Sequence, residues 1–340
     1  MSEKAWRIGV IGLGSIADFH LNSIRDLPNA VIAGVSSRRE EVARAAGEED
    51  NCFWTTDYNE LLSRSDIDII CLTTSSGSHA EIGKKVLQAG KHLLVEKPLC
   101  LLPEDADEMV RIAEEKGVKL GVIFQRRFED NLQLAKQVVD EGKIGKLLLI
   151  EVTTPFYRSQ EYYDSADWRG TYAEDGGALM NQGIHQIDLM LWFGGNVKTV
   201  YGKTATQTHE MEAEDIGLAV VSFENGALGT IMSSTSLYPG YLPEVKIYGE
   251  KGSIQFEGSR IVKWSVPDMP EPDQPDEPAA MGTNNPLSFS YESHKKQIAD
   301  FIEAVEKGTR PVVTGEDGRA SVVLINAIYE SSKTGKEISL

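Results

Sequence analysis

The sequence predicts an α/β protein with an N-terminal, doubly wound parallel domain and a C-terminal α+β domain. Over residues 1–125, short apolar strand segments alternate with helical segments, which is typical of βαβ units and a parallel sheet. A glycine-rich turn follows the first strand segment. From residue 126 to residue 340, several strand segments follow one another without intervening helices. This second pattern favours an open, mostly antiparallel sheet.

The elements of the first domain are assigned in chain order. Pro103 near the start and Gly117 just past the end of its last helix stand where helices favour these residues. Strands are expected at 7–12, 31–36, 67–73, 93–96 and 119–124, and helices at 16–27, 39–46, 79–89 and 103–116.

The second domain is expected to mix the two element types. Asn225-Gly226 between two strand segments indicates a hairpin turn. Helices are expected at 131–141, 179–193, 291–307 and 316–332, strands at 147–153, 197–205, 216–223, 227–235, 244–248 and 253–256, and loops at 155–177 and 267–286.

Composition limits the classes of function. A length of 340 residues suits two domains. The net charge of -18 argues against nucleic acid and anionic membranes as partners. No apolar run reaches the length of a membrane span. Three scattered cysteines and a first strand close to the N-terminus predict a cytoplasmic protein without disulfides, bound metal or a signal peptide.

The glycine-rich turn predicts a dinucleotide site. Gly12 allows a tight turn, Gly14 lets the backbone approach a pyrophosphate, and Ala17 allows close packing of helix on strand. Ser15 and Ile16 lie at the mouth of the helix, whose N–H groups favour phosphate. The pattern indicates a Rossmann domain that binds NAD(P).

The end of the second strand indicates which dinucleotide is preferred. Ser36, Ser37 and Arg38 stand where an acidic residue would accept the ribose hydroxyl of NAD. Hydroxyl and guanidinium groups instead suit a 2′-phosphate, so NADP is expected to be preferred over NAD. The alternative is that Arg38 and Arg39 only begin the next helix in solvent.

Several motifs in order resemble the Gfo/Idh/MocA family of oxidoreductases over essentially the whole chain. They are the segments 73–79, 96–98, 176–188, 223–227 and 249–253. The resemblance implies a homodimer or homotetramer formed through the C-terminal sheet. It also implies that Lys97 and His185 are the catalytic pair. Further cofactor contacts are expected at Thr73, Thr74, Ser75, His79, Glu96, Lys97, Arg126, Trp168 and Arg169.

The residue types support these roles. Oxidation of a carbinol needs a group that takes the hydroxyl proton and a positive charge near the oxygen. Asn181, His185 and Asp188 stand at helical spacing, which predicts that they share one face. Many family members carry aspartate where this chain has Asn181. An amide binds a hydroxyl but does not relay a proton as a carboxylate does.

The segment 157–171 indicates the substrate. It combines two arginines with four aromatic residues, which grip anions and stack on sugars or bases. It resembles the UDP-N-acetylglucosaminuronate 3-dehydrogenase branch of the family, which implies substrate contacts at Arg158 and Tyr163. Lys97, Asn181 and His185 complete the expected substrate site. A free sugar, an inositol or another polyol stays open as the substrate, and the tyrosines could instead pack the domain junction.

Two other functions remain open. A regulatory protein could bind NAD(P) without catalysis, although the presence of Lys97 and His185 argues against it. An oxidoreductase could also keep its cofactor permanently bound and recycle it. The favoured function is hydride transfer between NAD(P) and a secondary alcohol or ketone of a carbohydrate-like molecule.

Overall fold

The computed structural model describes residues 5–274 and 290–340. Within these residues the chain forms two units. Of the described residues, the first unit comprises 5–125 and 290–319. The second unit comprises 126–274 and 320–340. The predicted loop at 267–286 falls outside the described residues from 275 onwards.

The first unit contains a six-stranded parallel sheet in the order β3-β2-β1-β4-β5-β6. This is the strand order of a Rossmann fold, so the predicted fold class is confirmed. The three-residue β3 was not predicted, because so short a strand carries no periodic pattern. The strands are β1 (Trp6–Ile11), β2 (Ala30–Ser36), β3 (Phe53–Thr55), β4 (Ile69–Leu72), β5 (His92–Val95) and β6 (Leu120–Val122).

Helices connect these strands. The one after β5 has proline at its start and ends on Gly117, whose φ of 65° is left-handed, as a terminating glycine requires. The helices of the first unit are α1 (Ala17–Arg25), α2 (Glu40–Glu49), α3 (Tyr58–Ser63), α4 (His79–Gln88), α5 (Pro103–Lys116) and α9 (Glu292–Lys307).

Helix α9 completes the core of the first unit from the far end of the chain. Its buried residues Ile298 and Phe301 belong to the same apolar cluster as Ile8 and Val10 of β1. A Cβ at Gly121 of β6 would lie 2.9 Å from the Phe301 ring. The expected boundaries placed residues 290–319 in the second domain. The apolar face of α9 instead packs them into the first unit.

The second unit contains an eight-stranded mixed sheet in the order β13-β12-β11-β7-β10-β9-β8-β14. Among the described strand pairs of this sheet, β7–β10 alone is parallel, so the predicted open and mostly antiparallel sheet is confirmed. Strand β13 was not predicted. The strands are β7 (Leu147–Pro155), β8 (Val197–Ala205), β9 (Ile216–Phe223), β10 (Leu228–Ser234), β11 (Glu244–Gly249), β12 (Ser253–Glu257), β13 (Arg260–Ser265) and β14 (Ile338–Ser339).

The remaining helices are α6 (Asp130–Asp140), α7 (Gln160–Asp164), α8 (Ile184–Gly194) and α10 (Gly315–Thr334), which crosses the boundary of the two units. A π-helical turn at Ala178–Gly183 runs directly into α8. The short α7 lies inside the predicted loop 155–177. None of the described helices is both long enough and apolar enough to span a membrane.

The large sheet has two unlike faces. Residues such as Ile150 and Val152 of β7 are buried on one face. On the other, Leu218 and Val220 of β9 are 50% and 54% exposed, and Tyr201 and Leu228 of the neighbouring strands are about equally open. We call these four residues the open apolar face. An apolar face of this kind is typical of a protein–protein contact.

Candidate active site

The turn after β1 brings the ends of three strands together. The N–H of Gly12 donates to the Ser36 carbonyl at 2.9 Å, and the hydroxyl of Thr73 donates to the Gly12 carbonyl at 2.5 Å. Gly12 has a φ of 98°. A Cβ there would lie within 2.8 Å of the backbone of Thr73 and Thr74. The turn therefore requires glycine at this position.

Gly14 lies in open surroundings, since a Cβ there would meet nothing within 4 Å. Gly14 and Ser15 are exposed and Ile16 is half-buried. Helix α1 begins at Ala17, whose N–H donates to the Gly14 carbonyl at 3.1 Å. An open helix N-terminus beside a small residue fits the pyrophosphate of a dinucleotide.

Alanine at Gly12 and alanine at Gly14 are expected to affect different properties, the first stability and the second cofactor binding. Gly12→Ala is expected to lower the thermal midpoint of unfolding, because its Cβ meets backbone and its φ is left-handed. Gly14→Ala should leave that midpoint within about 2 °C and weaken cofactor binding by roughly tenfold or more. Thermal unfolding and a cofactor fluorescence titration measure both. Equal losses of stability in the two variants would contradict the assignment.

The end of β2 presents hydroxyl and guanidinium groups. Ser36 is buried, Ser37 is half-buried, and Arg38 and Arg39 are exposed. The Ser37 hydroxyl accepts the Arg39 N–H at 3.3 Å. The Arg39 guanidinium donates to the carbonyl of Leu13 in the glycine turn at 3.4 Å. Arg39 was not among the predicted cofactor residues, because position alone did not distinguish it from a solvent-facing helix start.

The loop after β4 is tied down by a buried histidine. Thr74 and Ser75 are half-buried. One ring nitrogen of His79 lies 2.7 Å from the Pro98 carbonyl and the other 3.1 Å from the Thr74 carbonyl. Burial lowers the pKa of His79, and a neutral ring donates to only one carbonyl at a time. The structure thus places His79 beneath these loops as a support. A direct contact with the cofactor stays a prediction.

Glu96 is held by histidines that the sequence did not single out. One carboxyl oxygen lies 2.8 Å from His20 and 3.8 Å from His294, and the other accepts the backbone N–H of Lys97 at 3.2 Å. Burial raises the pKa of Glu96, but the His20 hydrogen bond and charge outweigh it and bring the pKa to about 2. Burial lowers the pKa of His294 to about 4. Glu96 is therefore an ionised support behind Lys97, which is half-buried.

In the second unit, the π-helical turn carries a row of linked polar groups. The Asn181 amide donates to Asp175, and the Gln182 amide donates to the Asn181 oxygen at 3.1 Å. Arg158 donates to the Gln182 oxygen at 3.4 Å. His185, the second residue of α8, is half-buried just beyond this turn. The row places a carboxylate behind Asn181.

Asp188 pairs with Arg127 rather than joining this row of polar groups. It accepts two hydrogen bonds from Arg127, at 2.9 and 2.6 Å, and both side chains are buried. The predicted shared face of Asn181, His185 and Asp188 assumed α-helical spacing. Asn181 lies in the π-helical turn, where that spacing does not apply.

Arg158 and Tyr163 are buried in the predicted substrate segment. The Arg158 guanidinium lies over the rings of Phe156 and Tyr162 at 5.3 and 5.6 Å, and burial lowers its pKa. The Tyr163 hydroxyl is 2.7 Å from the Thr235 hydroxyl, and burial raises the pKa of Tyr163 well above its usual range. Substrate contact by either residue stays a prediction.

The remaining predicted cofactor residues lie in the second unit. Arg169 stacks over Tyr162 and over Trp168, at 4.2 and 4.6 Å. Arg126 is buried and donates to Glu129 at 3.0 Å and to the Gly258 carbonyl at 2.6 Å. These contacts fix Arg126 within its own unit, and its expected role at the cofactor remains untested.

Glu214, Asp215 and His209 were not among the site residues predicted from the sequence. Asp215 lies 3.0 Å from one ring nitrogen of His209, whose other nitrogen donates to the Arg158 carbonyl at 2.9 Å. The Glu-Asp pair precedes a strand and carries no motif that marks it. Over residues 5–274 and 290–340, no group of three or more histidine, cysteine, aspartate or glutamate residues could hold a metal ion.

Comparison with known proteins identifies related chains. A solved structure of the WlbA dehydrogenase from Bordetella pertussis, in complex with NADH and UDP-GlcNAcA, is 32% identical with a TM-score of 0.88 and covers 99% of both chains. Myo-inositol 2-dehydrogenase from Thermotoga maritima is 29% identical over 98% of both chains. The NADP(+)-named scyllo-inositol 2-dehydrogenase IolW from Bacillus subtilis is 27% identical over 98% of this chain and 96% of that protein.

Two family models match consecutive parts of the chain. Residues 6–124 match the NAD-binding Rossmann fold of the oxidoreductase family, and residues 132–255 match the GFO/IDH/MocA C-terminal domain. These matches follow the division between the two sheets. The chain therefore belongs to the GFO/IDH/MocA family of NAD(P)-binding oxidoreductases.

Proposed function

We propose that this enzyme transfers a hydride between NAD(P) and a secondary alcohol or ketone of a sugar, sugar nucleotide or cyclitol. The observation that carries the proposal is the linked row of Asp175, Asn181, Gln182 and Arg158 ahead of His185. Amide and guanidinium groups of this kind bind hydroxyl and carboxylate groups. A related structure solved in complex with UDP-GlcNAcA and a relative named for myo-inositol support the class of substrate.

The residues of the first unit fit a dinucleotide. Gly12, Gly14, Ser15 and Ile16 would hold the pyrophosphate, and Ser36, Ser37 and Arg38 would hold the adenosine ribose. The open space at Gly14 supports this assignment. Thr73, Thr74, Ser75, His79 and Glu96 would line or support the rest of the site. When bound there, NAD(P) would supply the nicotinamide ring as hydride acceptor or donor.

We propose a preference for NADP over NAD, because Arg38 is exposed at the end of β2 and no acidic residue stands there. Arg38→Ala is expected to lower the affinity ratio of NADP to NAD by roughly 10- to 100-fold, the value of one or two charged hydrogen bonds. Arg44→Ala, which removes an exposed charge from α2, is the matched control. An unchanged ratio in the Arg38 variant would remove the preference.

The proposed proton chemistry uses two side chains. His185 takes the proton of the substrate hydroxyl, and the Lys97 ammonium stabilises the negative charge that develops on that oxygen. The carboxylate of Glu96 fixes the backbone of Lys97. Asn181 hydrogen-bonds a substrate hydroxyl, and Asp175 fixes the orientation of its amide. Arg126, Trp168 and Arg169 are further proposed cofactor contacts, and Arg158 and Tyr163 are proposed substrate contacts.

A substrate panel tests the function. The purified protein is titrated with NADPH and NADH, and turnover is then measured from the absorbance of the reduced nicotinamide with inositols, free hexoses and UDP-sugars that do or do not carry a carboxylate. Turnover on any of them supports the enzyme. Cofactor binding without turnover on the whole panel would favour a regulatory protein. Nicotinamide that stays bound through purification would favour a recycled internal cofactor.

We also propose a cytoplasmic homodimer or homotetramer. The open apolar face of the large sheet supports it, because Tyr201, Leu218, Val220 and Leu228 are exposed on neighbouring strands, with Tyr201 paired directly with Val220. Burying such an area against a second copy removes it from water. The free cysteines, two of them buried, suit a reducing compartment.

A further inference from the structure

Two adjacent buried carboxyl groups precede β9 and have unlike surroundings. Glu214 and Asp215 are 1% and 0% exposed. Asp215 accepts backbone N–H groups from Gln207, Thr208 and His209 at 2.8–3.1 Å. Burial raises the pKa of Asp215, but these donors outweigh it and lower the pKa overall. Asp215 is therefore a buried carboxylate whose charge is stabilised by backbone hydrogen bonds.

Glu214 has far fewer donors. One of its oxygens accepts the Leu179 N–H at 2.9 Å and the Tyr329 hydroxyl at 3.1 Å. Its other oxygen, Oε2, is buried and has no hydrogen-bond partner among the described residues. A Cβ at Gly177 would lie 1.9 Å from that oxygen. Glycine at 177 is thus what allows the carboxyl group to pack against the turn.

The turn that Glu214 holds is the one that carries the proposed site. Leu179 lies in the π-helical turn Ala178–Gly183, which contains Asn181 and continues into α8 with His185. The Glu214 carbonyl also accepts the N–H of Ala178 at 2.8 Å. Both the side chain and the backbone of one residue therefore fix the start of this turn.

No cationic side chain within residues 5–274 and 290–340 forms an ion pair with Glu214. Tyr329 faces it from α10, and Tyr172 lies edge-on to Tyr329 at 5.6 Å. Asp215 is adjacent to Glu214. Glu212 lies two residues before Glu214 and accepts the Tyr172 N–H at 3.1 Å. Lys333, exposed, lines a cavity of about 380 Å³ with both tyrosines. Burial, with Asp215 adding to it, raises the pKa of Glu214 to about 7.

We propose that Glu214 is a positioning residue for the π-helical turn of Asn181 and His185, and that a proton on its carboxyl group strengthens its hold on this turn. The buried ionised group costs free energy that a locally opened, hydrated group does not. Because the folded pKa is raised, the hold is full below the ordinary glutamate pKa of about 4.3. It weakens as the pH rises towards about 7 and stays weak above that value. The link to catalysis rests on the proposed role of His185.

Amide hydrogen exchange of the segment 176–185 tests the proposal without any substrate, so its outcome is separate from that of the proposed function. Each exchange rate is divided by the intrinsic rate at the same pH, from pH 5 to pH 8. In Glu214→Gln the acceptor oxygen is kept and the titration is removed. The ratio of wild-type to variant exchange should rise by up to roughly tenfold per pH unit below pH 7 and then level off.

Two further variants control the measurement. Glu212→Gln removes an exposed carboxylate two residues away and should keep the wild-type pH profile. Tyr329→Phe removes one donor to Glu214, which should move the levelling-off to higher pH. A wild-type to Glu214→Gln ratio that is constant from pH 5 to pH 8 overturns the proposal. The same loss of pH dependence in Glu212→Gln also overturns it.

Discussion

Lys97→Met is expected to lower kcat by roughly 10²- to 10⁴-fold and to leave cofactor affinity within about threefold. Methionine keeps the length of the side chain and removes its charge. Lys97 is half-buried, and its backbone N–H donates to the Glu96 carboxylate at 3.2 Å, a contact that the substitution keeps. The loss should therefore appear in the chemical step. Turnover followed by nicotinamide absorbance and the cofactor titration measure the two effects.

The companion variant is His185→Asn, which retains a polar side chain but cannot take up a proton. A comparable loss of kcat is expected. The double variant should lose little more than either single variant, because residues that act as a unit give non-additive effects. Lys146→Met, on a residue outside the proposed site, controls for the loss of a charge. A near wild-type kcat in Lys97→Met would contradict the catalytic role proposed for Lys97.

The second large effect is expected on stability. Asp188→Asn should destabilise the folded protein by about 3–5 kcal/mol, because it leaves the Arg127 guanidinium buried without its carboxylate. The side chains of the pair are 3% and 1% exposed, with two hydrogen bonds between them. For a unit of this size the thermal midpoint should fall on the order of 10 °C. Differential scanning calorimetry at neutral pH measures it.

Two comparisons make this result specific to burial. Glu141→Gln removes a carboxylate from an ion pair with Lys143 whose side chains are about half exposed, and should cost less than about 1 kcal/mol. The double variant Arg127→Met/Asp188→Leu should recover much of the loss, since apolar residues need no partner there. If Asp188→Asn lowers the free energy of unfolding no more than Glu141→Gln does, the Arg127–Asp188 pair does not make the proposed contribution to stability.

The cofactor turn was the part of the site most accessible from sequence. Gly12, Gly14 and Ala17 are dictated by local backbone geometry, so their spacing alone predicts a strand, a turn and a helix. The structure places them as expected. The same holds for the two sheets, because strand periodicity and connection length are local properties.

What the sequence could not predict depends on irregular or long-range geometry. The π-helical turn breaks the spacing that linked Asn181 to Asp188, and no residue type marks such a turn. The pairing of Glu96 with His20 and His294 joins β5 to α1 and α9. His20 is the main cause of the low pKa of Glu96, and the charges of His294 and Lys97 lower it further. Such contacts arise only after folding brings distant segments together.

Helix α9 has a consequence for how the protein is made. The β6 surface against Gly121 is covered by Phe301, and Gln297 donates to the Val122 carbonyl at 2.7 Å. A growing chain that has passed Gln125 still lacks this cover until Ser290–Arg319 emerge from the ribosome. Docking of α9 closes a loop of more than 150 residues, which costs chain entropy. The contacts that offset this cost form only when α9 reaches the sheet. A fragment that ends at residue 125 would lack this cover altogether, so it would leave exposed the apolar surface that Ile298 and Phe301 bury in the full chain.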